Sequence, residues 1–349
     1  MVDFHKGFEG FERLEPSDKK ENKDEVSWSK HAEEKDMLLG ANSDLAKAET
    51  VYSNILNFIT PIFDRIKEGK EGQIKGEEIL GWTQEFTDIF RSSITPDDMV
   101  RLAFHHDDYK DNYIYTHSVN VCLLSARMAL ALNFSKSRLF DLVIASLFHD
   151  IGMMKIPLEI WNKDGRLSSS EREEIKKHVI YGEEIFSKLN GINEVIPVII
   201  GQHQEYCDGT GYPKGLKKDS IHYGARLVSL IHSYESATHT RLYRPCVLPD
   251  KAIQQILDNE SAKYDRHFLK TLLRSISIFP VGSWVKISSG EIGNVVRISE
   301  DTPMRPAIKI CYNREGYPLP ESRMLDLSKQ LLIHVERCID IEEVKKEGM

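Results

Sequence analysis

Four histidines, His117, His149, His178 and His203, run through the middle of the chain, with Asp150 beside the second of them and the loop Asp208-Gly-Thr-Gly-Tyr-Pro213 just after the last. Nine of the thirteen histidines fall between residues 105 and 239. Several stand at the ends of apolar stretches with helical spacing, where imidazoles from separate helices can converge on a metal. His149 and Asp150 sit where the apolar stretch 138–148 runs out, ahead of Gly152 and Pro157, so both side chains can leave a helix end and face one cavity. An aspartate has two oxygens and can bridge two cations, which makes a dinuclear site chemically reasonable. Mixed nitrogen and oxygen ligation suits Fe, Mn or Zn better than Ca or Mg, and such a pair would generate a hydroxide and clamp a phosphoryl group. The residues predict a metal-dependent enzyme.

Composition limits what else the chain can be. Its 349 residues with 41% hydrophobic content can bury a large core and form two or three units. A net charge of -8 and a pI near 5.9 give no global reason to bind a nucleic-acid polymer or an anionic membrane, so any anionic ligand is small and locally held. The N-terminus is highly charged and no apolar run reaches about 18 residues, so a cytoplasmic protein is expected. Cys122, Cys207, Cys246, Cys311 and Cys338 are widely spread without a CxxC spacing, the pattern of reduced structural thiols.

The elements that must position these residues are mostly helical. Residues 1–40 are rich in Lys, Glu and Asp and read as a charged, disordered arm. In the N-terminal region, 41–100, apolar spacing through Val51, Ile55, Phe58, Ile59, Phe63 and Ile66 predicts two helices with a break at Gly69–Gly72. Helices are expected over 117–133 and 138–149, and the capping box Ser168-Ser-Ser-Glu171 opens another that runs past His178 to Ile185. Further helices are expected near 193–205, 222–238, 249–259 and 264–277. After Pro280 the pattern turns to alternation, at Trp284-Val-Lys-Ile287 and Asn294-Val-Val-Arg-Ile298 with a Ser-Gly turn at 289–290, so residues 280–349 form a small β module.

The segments HSVNVCLLSARMALAL, HDIGMMKIP, KKHVIYG, HQEYCDGTGYPKGL and TRLYR, in that order, resemble the HD-GYP branch of the HD metal-dependent phosphohydrolases. The resemblance spans about residues 55–275, with 101–279 as the catalytic domain, and the β segment is similar to an extension on some members. It implies a mainly α, HD-type helical bundle, two divalent ions, Fe or Mn, and hydrolysis of cyclic di-GMP to pGpG or GMP. Carried over, His117, His149, Asp150, His178 and His203 match metal ligands, with Asp150 bridging and with His149 and Asp150 as the catalytic pair. Any one of these histidines alone would read as a hydrogen-bonded core residue; the four histidines and Asp150, all five in register, reverse that weighting. Gly211 and Tyr212 lie in the loop that gives the family its name, a pocket wall rather than an ordinary turn, and Arg241 matches an arginine that can grip phosphate or guanine. A helix-end salt bridge is the competing reading of Arg241.

Departures from the family pattern fall on functional positions. The lysine after HDIG is Met153, and Lys155 two residues on is the candidate replacement, against a surface role. The second histidine of His-His-Glu is Gln204, which offers only a weak amide oxygen. The aspartate of the later helix is His232, and Tyr113 stands where three-metal members carry Glu, so no third metal is expected. The resemblance then implies His117, His149, Asp150 and His232 around one metal and Asp150, His178 and His203 around the other. His105-His106-Asp107-Asp108 reads as a solvated turn, and the N-terminal helical region as a packing or homodimer surface. Three functions remain open: a cyclic di-GMP phosphodiesterase, a degenerate member that binds the nucleotide or a signalling-protein partner without hydrolysis, and a phosphohydrolase of another nucleotide.

Overall fold

The computed structural model describes residues 43–105, 109–161, 163, 165–239, 247–299, 301–330 and 332–340. The arm expected over 1–40 lies outside them, as do Arg241 and the 106–108 turn. Helices α1 (Ser43–Lys67) and α2 (Gly76–Ser92) form the N-terminal pair, parted by Gly69 in the left-handed region at φ +70°. They are followed by α3 (Pro96–His105), α4 (Tyr109–Ala131) and α5 (Lys136–Leu147). Helix α4 starts earlier than the expected 117, because Ile114 also enters the core.

The central helix of the bundle is α4. Between Ile114 and Ala129 its residues are buried around the whole circumference, among them Val119, Leu123 and Ala126 at 0% exposure. An α-helix apolar on every side belongs inside a protein, and α4 is packed by α1, α3 and α5. The remaining helices are α6 (Leu158–Trp161), α7 (Ser169–Lys176), α8 (His178–Ser187), α9 (Val195–Gln202), α10 (Tyr223–Thr238), α11 (Pro249–Asn259) and α12 (Arg266–Ser275). Helices α10 and α12 also pack on α4.

The capping box holds: Glu171 N donates to Ser168 Oγ and Ser168 N to Glu171 Oε2, at 3.2 and 2.6 Å. The single helix expected from there to Ile185 is instead two, α7 and α8, meeting at Lys177. The cause is local. Lys177 N tightens to the Glu174 carbonyl, and the His178 ring takes the Ile175 carbonyl.

The C-terminal strands β1 (Trp284–Ile287), β2 (Ile292–Arg297), β3 (Ala307–Tyr312), β4 (Pro318–Asp326) and β5 (Val335–Cys338) form one antiparallel sheet in the order β4-β3-β2-β1-β5. Its own core includes Val285, Ile287, Val295, Ile308 and Ile310, and Leu248 and Ile278 pack against it. Polar ties bind it to the bundle: Cys338 N donates to Asp250 Oδ2 at 3.2 Å and Ser277 Oγ to the Pro303 carbonyl at 2.7 Å.

Candidate metal centre

Helix ends deliver most of the candidate ligands. His149 and Asp150 follow Phe148, the C-cap of α5; His178 opens α8; His203 is the C-cap of α9. His117 projects from α4 and His232 from α10. His117, His149 and His203 are fully buried, and Asp150 is 7% exposed.

A helix C-terminus leaves carbonyls without helical partners, and three of the rings use them. The Nδ1–H groups of His149, His178 and His203 donate to the carbonyls of Ser146, Ile175 and Ile200, each three residues earlier, at 2.8, 2.8 and 2.7 Å. His117 Nδ1–H donates to Glu235 Oε2. With the proton on Nδ1, each ring presents a bare Nε2 lone pair. These lone pairs face one another: His117 Nε2 lies 3.2 Å from His149 Nε2, and His178 Nε2 lies 3.4 Å from His203 Nε2. Acceptors opposed in a buried space repel, and a cation between them turns the repulsion into ligation.

Asp150 stands between the two pairs. Its Oδ2 lies 3.6 and 3.5 Å from Nε2 of His117 and His149, while Oδ1 lies 3.1 and 3.3 Å from Nε2 of His178 and His203. Oδ1 is buried without a hydrogen-bond donor. One donor atom each from His117, His149, Asp150 and His232 fall within 4.8 Å of one another, and so do those of Asp150, His178 and His203. These three-nitrogen, one-oxygen and two-nitrogen, one-oxygen sets fit first-row divalent metals, so the cluster can bind metal.

The electrostatics agree with that fit. Burial pushes His149 down to about 3 and also lowers His178 and His232, so these rings are neutral near pH 7, the form in which an imidazole can ligate a metal.

Other residues picked out in the sequence fall around the cluster. Gln204 Nε2 is 3.4 Å from His203 Nε2, so its amide borders the second group. Tyr212 is mostly buried, its ring edge-on to His178 at 6.3 Å. Gly211 passes so close to the 204–206 backbone that a Cβ would come within 2.4 Å of Tyr206 N. Tyr113 stacks on His117 at 5.4 Å. Met153 is buried in the apolar core, and Lys155 pairs with Glu71 Oε1 at 2.9 Å, which gives its ammonium a structural partner. Arg241 lies outside the described residues.

Sequence reasoning missed three polar residues. Glu205 accepts from Lys214 N at 2.6 Å and Leu216 N at 2.8 Å, pinning the loop that carries Tyr212. Glu235 accepts from Asn120 Nδ2 at 3.0 Å as well as from His117. Both pairs show the same signal: Asn120 is three residues from His117 on α4, and Glu235 three from His232 on α10, so each shares a helix face with a candidate ligand.

A helical bundle with a buried cluster of five histidines and an aspartate, able to hold divalent metal, defines the class. The family model of the HD domain matches residues 107–268, and that of a KOW domain associated with the HD domain matches 284–347. The chain is 29% identical over 220 residues to the cyclic di-GMP phosphodiesterase PA4108 of Pseudomonas aeruginosa, covering 63% of this chain and 53% of that protein. It is 27% identical over 219 residues to the cyclic di-GMP phosphodiesterase PdeB of Borreliella burgdorferi, covering 63% and 56%. With the 3'3'-cGAMP-specific phosphodiesterase 3 of Vibrio cholerae it shares 29% over 173 residues, 50% of this chain and 37% of that one. The chain thus spans about half the length of the first two relatives. Bd1817, an HDG"Y"P protein from Bdellovibrio bacteriovorus, shares the fold with a TM-score of 0.55 at 20% identity, covering 70% of this chain and 76% of that one. The HD-domain match, these relatives and the shared fold support an HD domain of the HD-GYP type within the chain.

Proposed function

We propose that the protein is a metal-dependent phosphodiesterase that hydrolyses cyclic di-GMP to pGpG or GMP. The observation that carries this reading is Asp150, which presents one carboxylate oxygen to each of two groups of histidine Nε2 atoms. His117, His149, Asp150 and His232 hold one Fe or Mn ion, and Asp150, His178 and His203 the other. When bound, such a pair supplies Lewis acidity toward the phosphoryl oxygens and an activated water. The chain's own part is to keep the imidazoles of His149, His178 and His232 neutral, to aim the Nε2 atoms of His117, His149, His178 and His203 inward, and to wall the pocket with Gly211 and Tyr212. Burial raises the Tyr212 hydroxyl well above its ordinary value, so it stays protonated and can donate to a phosphate oxygen. Arg241 follows α10 in sequence and serves as a phosphate or guanine contact. The names of the relatives, phosphodiesterases of cyclic di-GMP and of 3'3'-cGAMP, support the substrate class.

A second reading, a receptor that binds the nucleotide without cleaving it, is favoured by one observation: the second group has three donors, with the amide of Gln204 beside it. A nucleotide panel separates the readings. Metal-loaded protein is incubated with cyclic di-GMP, 3'3'-cGAMP and linear dinucleotides, and the products are resolved by chromatography. pGpG or GMP from cyclic di-GMP is the expected result. Binding without product would favour the receptor, and cleavage confined to another nucleotide would reassign the substrate.

A further inference from the structure

Helix α10 carries two departures from a simple ligand helix. His232 brings an imidazole, not a carboxylate, to the first metal group, whose only anionic member is then Asp150, shared with the second group. One turn later Glu235 places a carboxylate at 0% exposure behind His117. A carboxylate can only accept, so the groups that bond to it must donate. Asn120 must turn its amide N–H toward Glu235 Oε1, leaving Asn120 Oδ1 to accept from Tyr52 O–H at 2.9 Å. His117 must carry its proton on Nδ1, facing Glu235 Oε2, and its Nε2 is thereby left bare toward His149 and Asp150. The other three rings that use Nδ1 lean on neutral backbone carbonyls. His117 leans on an anion.

We propose that Glu235 is the anionic positioning residue of the metal centre: through His117 it supplies the negative charge that the His232 imidazole does not bring, and Asn120 and Tyr52 hold it in place. A carboxylate hydrogen-bonded to the far nitrogen of a ligating imidazole fixes the tautomer and raises the basicity of the donor nitrogen. The first group therefore binds its ion as a set with two anionic contributions, one direct from Asp150 and one relayed from Glu235. Tyr52 lies on α1, outside the stretch matched by the HD-domain model, so the N-terminal helix reaches the centre through Asn120 and Glu235. Burial, helped by the Glu235 charge, pushes the Tyr52 hydroxyl well above its ordinary range, which keeps it a donor at any working pH.

The proposal rests on the metal reading given above, and the test keeps the two apart. Mn2+ binding is measured on the full chain by the loss of free-ion EPR signal, with thermal melts of the apo proteins alongside. Wild type is expected to bind Mn2+. In Glu235→Gln one N–H donor of the new amide must face another donor, and affinity at the tighter site is expected to fall roughly 10- to 100-fold. Adding His232→Asp to that variant puts a carboxylate directly into the group and should restore much of the loss. A bracing residue between α4 and α10 would show no such rescue, so failure of the double variant to regain affinity would overturn the charge role. Tyr52→Phe keeps the buried ring and is expected to weaken Mn2+ in the same direction by less, which covers the case in which Glu235→Gln does not fold. Unchanged affinity in both single variants would overturn the proposal with the metal reading intact. Absence of Mn2+ binding by wild type would overturn the metal reading itself, and the proposal with it.

Discussion

Asp150 joins the two halves of the cluster because each of its oxygens faces a different pair of Nε2 atoms. Asp150→Ala removes a donor from both groups at once, so elemental analysis after metal loading should show both ions lost. Unchanged content would reject the assignment. Two residues on, Gly152 exists for a steric reason. A Cβ there would sit 2.0 Å from the His178 carbonyl oxygen and 2.7 Å from Gly182 N, so the turn after Asp150 meets α8 backbone to backbone. Gly152→Ala must push that contact apart, at about 2 kcal/mol or more of stability by the usual cost of overpacking. A denaturant midpoint equal to that of wild type would show that the contact yields freely. The histidines were legible in the sequence because their spacing matched an ordered motif set. Glu235 and Asn120 were not, because a polar residue inside an apolar helix shows its purpose only when the partner from another helix is known.

At the scale of elements, the bundle ends helices where the candidate ligands stand. Helices α5 and α9 each stop beside a histidine that returns its Nδ1–H to the last turn, and α8 starts with one. That is also why one helix read from Ser168 onward is two: apolar periodicity continues through Ile175, Val179 and Ile185, but it does not report which carbonyl a side chain will take. The loop after α9 is held by Glu205, whose carboxylate accepts from Lys214 N and Leu216 N. Glu205→Gln exchanges one acceptor for a donor there and should lower kcat/KM roughly tenfold, the worth of one charge-assisted bond, with metal content unchanged. A parallel loss of metal would place Glu205 in the centre instead of the loop. The start of α7 gives a pH prediction. Bonds from Lys163 and then from Ser168 hold the Glu171 carboxyl down at about 2, against an ordinary 4.5. A depressed carboxylate stabilises the fold above its unfolded value and loses that contribution as pH falls toward 2, so the α7 cap should weaken only in that window. An NMR titration of Glu171 with a midpoint near 4.5 would contradict the capping geometry.

For the whole molecule, the bundle and the sheet have separate apolar cores tied by Asp250–Cys338 and Ser277–Pro303 contacts. The change from helical spacing to alternation at Pro280 was legible, whereas the bonds between the parts join residues too far apart in sequence to be read. Among the described residues no helix is long and apolar enough to cross a membrane. Because the donor atoms come from α4 and α10 and from the ends of α5, α8 and α9, a pair of ions bound among them would couple five helices. Metal at a hundredfold excess over its Kd should therefore add about 2.7 kcal/mol to stability by mass action. Chelation should reverse this, and a Tm indifferent to metal would argue against ligation by the folded state. The most direct test of the whole reading is cyclic di-GMP turnover, followed by product chromatography, in wild type and Asp150→Ala. Both are purified without oxygen and reconstituted with Fe or with Mn. Wild type should release pGpG or GMP and Asp150→Ala neither; no product from metal-loaded wild type, or equal product from both, would contradict a hydrolytic centre bridged by Asp150.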